Sequence, residues 1–91
     1  MFRFDELEFT MQFDDAYQSL QGRVQKQCDK AIGFLLTNPG HPSLNLKPIQ
    51  PSKIYWEARL NSGDRLIIRP EGPTALIMDI VPHDDISRWG R

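Results

Sequence analysis

Arginines sit inside stretches that otherwise read as β-strands. Arg59 lies near the end of Ile54-Tyr55-Trp56-Glu57-Ala58-Arg59-Leu60, and Arg65 and Arg69 flank Leu66-Ile67-Ile68. A sheet that carries cations in its strands must expose one face. A face bearing Arg59, Arg65 and Arg69 suits a phosphate, because guanidinium offers planar, bidentate donors and stays charged at any working pH. Glu57 in the same patch can orient an arginine or act as a base; the plainer alternative is a cross-strand ion pair between Glu57 and Arg69. His83 follows Pro82 after a further apolar stretch, Ala75 to Val81. An imidazole titrates near neutrality, so it can give or take a proton in phosphoester cleavage. The plainer alternative is an exposed or capping histidine, with Asp84 or Asp85 as an N-cap.

Other chemistry finds less support. His83, Asp84 and Asp85 are contiguous and His41 sits in a distant loop, so neither a metal site nor a cofactor is expected. Cys28 falls on the apolar face of a helical pattern and reads as core. Tyr55 can stack on a base, whereas Trp56 reads as core. No phosphate-binding glycine loop or nucleophile elbow is present.

Which side chains share the cationic face depends on the turn at Asn61-Ser62-Gly63-Asp64. With Ser62-Gly63 as the loop, Leu60 pairs with Arg65, and Trp56 lies opposite Arg69. With one more loop residue, Asn61 pairs with Arg65, Arg59 with Ile67 and Glu57 with Arg69. A one-residue slip flips every side chain. The longer loop is favoured because the shorter one buries arginine beside Trp56, and an unpaired buried charge is expensive. It gathers Tyr55, Glu57, Arg59, Arg65 and Arg69 on one side and leaves Ile54, Trp56, Ala58 and Leu60 for the core.

The elements that must position this face follow from periodicity. Leu7, Phe9, Met11 and Phe13 alternate with polar residues, which predicts a half-buried strand. Asp14 can then cap a short helix with Phe13, Ala16, Tyr17 and Leu20 on one face. Gly22 ends it. A second helix runs from Arg23 to about Leu36, with Val24, Cys28, Ala31, Ile32 and Leu35 inward. Gly33 weakens that helix and is expected where it packs closely. Asn38-Pro39-Gly40 stops it. Ser43 to Lys47 reads as an edge or loop, since Pro48 and Pro51 interrupt any long strand. Ala75 to Val81 is apolar on both faces except for Asp79 and is placed centrally. The residues after Pro82 read as a short tail. A strand, a helical hairpin and a mainly antiparallel sheet in the order β-α-α-β-β-β make an α+β class, with the second sheet face left to water or a partner.

Length bounds this to a single domain over residues 1–91. The lone cysteine excludes an internal disulfide framework and fits a reducing compartment. No apolar run is long enough to span a membrane, and Met1 to Glu6 lacks the basic and apolar regions of a signal peptide. A soluble cytoplasmic protein is expected. The net charge of −1 hides an uneven distribution. Arg3 stands against Asp5, Glu6, Glu8, Asp14 and Asp15, while Arg23, Lys26, Lys30, Lys47, Lys53, Arg59, Arg65 and Arg69 face only Asp29, Glu57 and Asp64. The middle of the chain is therefore cationic.

Asn38-Pro39, His41-Pro42-Ser43-Leu44, Lys47, Tyr55-Trp56-Glu57-Ala58-Arg59, Arg65-Leu66, Asp79 to Val81 and His83-Asp84, in this order, resemble the RelE/ParE toxin superfamily of bacterial type II toxin–antitoxin modules. The resemblance covers nearly the whole chain and implies a RelE-like fold. It implies an antitoxin partner and, for ribosome-dependent members, metal-independent cleavage of mRNA on the ribosome. Carried over by position, Arg59 and Arg65 resemble the phosphate-stabilising arginines, His83 the C-terminal histidine of proton transfer, and Lys47 the backbone-binding lysine. Arg69, Glu57 and Tyr55 would join the substrate-binding face. The ParE branch implies a different outcome, a gyrase inhibitor without nuclease chemistry, and other RelE-like domains imply a binding module alone.

Overall fold

The computed structural model describes residues 3–91. Met1 and Phe2, part of the stretch read for a signal peptide, lie outside the described residues. The elements are β1 (Glu6–Phe9), α1 (Met11–Gln18), α2 (Gly22–Thr37), β2 (Lys47–Pro48), β3 (Trp56–Arg59), β4 (Asp64–Glu71), β5 (Thr74–Pro82) and a C-terminal 3-10 helix (His83–Gly90). One five-stranded sheet runs β1-β5-β4-β3-β2. The β1–β5 pair is parallel and the other pairs are antiparallel. The expected α+β class is what forms, with β5 interior and the two-residue β2 as an extra edge strand.

The first departure is at the end of β1. Alternation predicted a strand through Phe13 and a helix capped by Asp14. The chain instead turns at Thr10, whose Oγ1 accepts the Phe13 N–H at 3.0 Å and donates to the Met78 carbonyl at 2.7 Å. A threonine with both partners at hand is a better N-cap than a strand residue. The helix then buries Phe13 and leaves Met11 83% exposed. Asp14 falls in the first turn, where a carboxylate complements the helix dipole. Gly33, expected at a close packing contact, is exposed, with nothing within 4 Å of where a Cβ would stand.

The main core lies between the helices and one sheet face, built on Phe13, Cys28, Leu35, Leu66, Ile68 and Ile77. Burial pushes the Cys28 thiol up to about 12, with the neighbouring Asp29 carboxylate adding to it. The opposite face, expected to be open, carries a second, smaller core of Ile49, Ile67, Val81 and Ile86, with Tyr55, Met78 and Trp89 packed against it. The expected tail is the 3-10 helix that supplies Ile86 and Trp89, and it buries apolar surface that the sheet alone would leave wet. Gly90 closes it down: its carbonyl accepts the Ser52 N–H at 2.9 Å, and a Cβ there would overlap the Gln50 carbonyl. A bulge serves both cores. Ile67 pairs with Asp79 and Ile68 with Ile77, so Met78 is the extra residue. That step shifts the alternation of β5, so Ile77 belongs to the main core and Val81 to the second.

The β3–β4 register differs from both pairings considered. Arg59 pairs with Arg65 and Glu57 with Ile67, and the Leu60 N–H donates to the Asp64 carbonyl at 3.1 Å. The loop has the favoured three residues but sits one residue earlier, as Asn61-Ser62-Gly63, because the Asn61 side chain shapes it: Oδ1 accepts the N–H groups of Gly63 and Asp64, each at 2.9 Å. Relative to the favoured pairing the shift is by two, so Glu57, Arg59, Arg65 and Arg69 keep the same strand parity. Ile54, expected in the core, is exposed; Ala58 is buried in the main core and Leu60 packs against it.

Candidate functional site

On the sheet face covered by the 3-10 helix, a cleft of about 650 Å³ opens between that helix and the β2 edge. Lys47, Glu57 and His83 line it, with Gln50, Asp84 and Ser87. Each arrives by a different route. Lys47 is on the short edge strand, directly opposite Glu57 in the β2–β3 register. Glu57 sits in the floor, 8% exposed. His83 begins the 3-10 helix, and its N–H donates to the Gly63 carbonyl at 2.8 Å. Its ring is exposed, with Nδ1 3.6 Å from Asp84 Oδ1.

Arg65 lies behind Glu57. Its Nε stands 3.7 Å from Glu57 Oε1, and its Nη1 donates to the carbonyls of Asn61, Ser62 and Asp64 at 2.7, 3.3 and 3.1 Å. The other expected site residues lie elsewhere. Arg59 lines a separate groove of about 250 Å³ with Gln27, Lys30 and Phe34 of α2. Arg69 is exposed and pairs with Glu71, Nε to Oε1 3.3 Å, while the Glu57 carboxylate faces Arg65. Tyr55 packs edge-on against Trp89, ring centroids 4.9 Å apart, in the second core.

The arrangement thus brings Lys47, Glu57 and His83 together, with Arg65 reaching them through Glu57. A buried carboxylate, an exposed imidazole and an ammonium in one cleft can move protons and hold an anion. Among the described residues no three His, Cys, Asp or Glu side chains gather as metal ligands. Gln50, Asp84 and Ser87 were not foreseen. Their only sequence signal is closeness to Pro51 and His83, which says nothing of a shared cleft. A larger cleft of about 820 Å³ lies near the end of α2 and holds His41 and Trp56. His41 stacks on Phe34 at 3.9 Å and its Nδ1 lies 2.7 Å from Ser43 Oγ. No carboxylate or ammonium lines that cleft, so the acid–base chemistry belongs to the smaller one.

Among the described residues Asp79 is the other buried acid, 8% exposed. Its Oδ2 accepts from Gln12 Nε2 and its Oδ1 from the Ile80 N–H, both at 2.8 Å. Burial raises its pKa and these hydrogen bonds oppose the rise. It fastens α1 to β5 and lines none of these clefts.

No family model matches the chain, and no curated protein does. Solved structures do match. YafQ from E. coli strain BL21(DE3) is 19% identical with a TM-score of 0.74, covering 89% of this chain and 96% of that one. The toxin–antitoxin pair RelB–RelE from Methanococcus jannaschii gives 18% identity and a TM-score of 0.71 over 90% of this chain and 96% of the matched one. The YoeB/ParE toxin from Agrobacterium tumefaciens gives 19% and 0.71 over 86% and 98%. At such identities the likeness is one of fold, and the fold is RelE-like.

Proposed function

We propose that this chain is the toxin of a type II toxin–antitoxin pair and that it cleaves mRNA on the ribosome through the Lys47/Glu57/His83 cleft. The observation that carries the reading is the convergence of these three side chains in one cleft of a RelE-like fold. In this reading Glu57 takes the proton from a ribose 2′-OH as that oxygen attacks the adjacent phosphorus. Lys47 stabilises the charge that builds on the nonbridging oxygens. His83 gives a proton to the 5′-oxygen as the P–O5′ bond breaks, leaving a 2′,3′-cyclic phosphate. Arg59 and Arg69 would act on the RNA backbone outside the cleft. Structures of matched proteins bound to antitoxins, such as the E. coli DinJ–YafQ complex, support a protein neutraliser.

The test is induced expression in a bacterial host, wild type beside His83→Ala and Lys47→Ala, with 5′-end mapping of host mRNA. Growth arrest with codon-phased cuts that both substitutions abolish supports the reading, and arrest without cuts refutes the nuclease step. The capture of the Arg65 guanidinium by turn carbonyls and the placement of Arg59 in another groove favour a second reading. In it the chain is a binding domain of the same fold, directed at gyrase or a regulatory partner; arrest untouched by His83→Ala would select it.

A further inference from the structure

The Asn61–Asp64 turn touches more of the cleft than its sequence suggests. Its Gly63 carbonyl holds the His83 N–H at 2.8 Å. Its carbonyls at Asn61, Ser62 and Asp64 converge on Nη1 of Arg65, whose Nε faces Glu57. The turn is braced from within: Asn61 Oδ1 accepts the Gly63 and Asp64 N–H groups, and Asn61 Nδ2 donates to Asp64 Oδ2 at 3.0 Å and to Gln27 Oε1 of α2 at 2.8 Å. Both proton-handling groups of the cleft are thus tied to one hairpin, and Arg65 bridges the hairpin and Glu57.

We infer that Arg65 is a positioning residue for this cleft, acting through the Asn61–Asp64 hairpin and Glu57 rather than on the phosphate. The inference rests on the reading of the cleft as a reaction site. A guanidinium is a planar fork of fixed donors. With Nη1 spent on the turn, Nε toward Glu57 and the side chain 12% exposed, Arg65 is built into the protein. Moving it onto a substrate phosphate would strip three carbonyls of a donor and leave Glu57 without its cation. Held in place, it keeps Gly63 where its carbonyl fixes the start of the 3-10 helix. The Asn61–Gln27 bond extends that bracing to α2.

The test is amide hydrogen exchange by NMR on the full chain, for wild type, Arg65→Ala, Arg65→Lys and Asn61→Ala. Amides of the β4–β5 ladder serve as the internal reference. The His83 amide is expected to exchange about tenfold faster in all three variants than the ladder amides account for, the signature of local opening. Lysine is included because it keeps a cation beside Glu57 without the fork, and with Asn61→Ala it carries the test where the alanine variant does not fold. A His83 amide that speeds up no more than the ladder amides overturns the inference. On ribosome-bound mRNA, Arg65→Ala and Asn61→Ala are expected to lower kcat together, because both loosen the same hairpin, whereas a kcat that falls in Arg65→Ala and is unchanged in Asn61→Ala places Arg65 on the phosphate and also overturns the inference. A wild type that cuts no ribosome-bound mRNA would refute the nuclease reading while leaving the exchange result to decide the hairpin's role.

Discussion

Ile86→Ala tests whether the second core holds the 3-10 helix, and with it His83, against the sheet. Ile86 is 9% exposed and packs with Ile49, Ile67 and Val81. The substitution removes three carbons, worth roughly 0.8 kcal/mol each in lost burial, and leaves a cavity. The helix closes a small core near the surface, so part of the cavity can collapse, which places the cost near the low end of such changes, about 2–3 kcal/mol. For a domain of this size that corresponds to a Tm lower by about 10–20 °C if the segment and the main core unfold together. Thermal denaturation by circular dichroism reads the global part. Limited trypsin digestion at the exposed Arg88 reads local opening, because cleavage there requires the 3-10 helix to detach. A drop in Tm with unchanged cleavage relative to unfolding means one cooperative unit. Faster cleavage with a small drop in Tm means that the helix opens by itself. A Tm within about 2 °C of wild type together with unchanged cleavage would refute the role assigned to the second core.

Thr10→Ala removes both the α1 cap and the bond to Met78, and is expected to lower stability by about 1–2 kcal/mol, read by urea denaturation, with Thr10→Ser recovering most of it. Cys28, buried with its thiol pushed up to about 12, is expected to resist a thiol reagent at pH 8 in the folded protein and to react fully in denaturant. Burial holds the Asp79 carboxyl above the ordinary aspartate value of 3.8, so the folded state holds its proton more tightly. The contribution of this group to stability therefore falls as pH rises from 3.8 through the raised value. Asp79→Asn should flatten that part of the pH–Tm curve, and an unchanged curve would refute the assignment.

Much of the sheet was legible because β3 and β4 alternate between its two faces. The pairing of β3 with β4 was misjudged, yet Glu57 and Arg65 still share a face, since an error of two residues preserves parity, while Arg59 at the end of β3 borders the groove against α2. The second core was hidden for a different reason. Leu66-Ile67-Ile68 is continuous apolar sequence, a sign of burial on both sides, but the flanking Arg65 and Arg69 implied an open face. What covers Ile67 is Ile86 and Trp89, spaced one helical turn apart in a stretch otherwise too polar and short to announce packing. The Thr10 cap was masked by a coincidence, in that Met11 and Phe13 continue the strand period while only Phe13 is buried. The clamp on Arg65 was beyond periodicity altogether, because it depends on the direction of turn carbonyls set by the Asn61 side chain.

The cationic middle of the chain is the most instructive case, because the fold divides what the sequence gathers. Lys47 lines the cleft, Lys30 and Arg59 line a groove against α2, Arg65 is turned into the hairpin, and Arg69 is paired with Glu71. The cleft therefore offers an incoming phosphate the ammonium of Lys47, with Glu57 and Asp84 lining the same walls. Counterion release from so few contacts gives little affinity for free single-stranded RNA. A site of that kind works on a strand that something else already holds in place. That favours a target presented on a larger assembly over RNA captured from solution, and it makes positioning of Glu57 and His83, rather than the strength of a cationic field, the property on which the proposed chemistry depends.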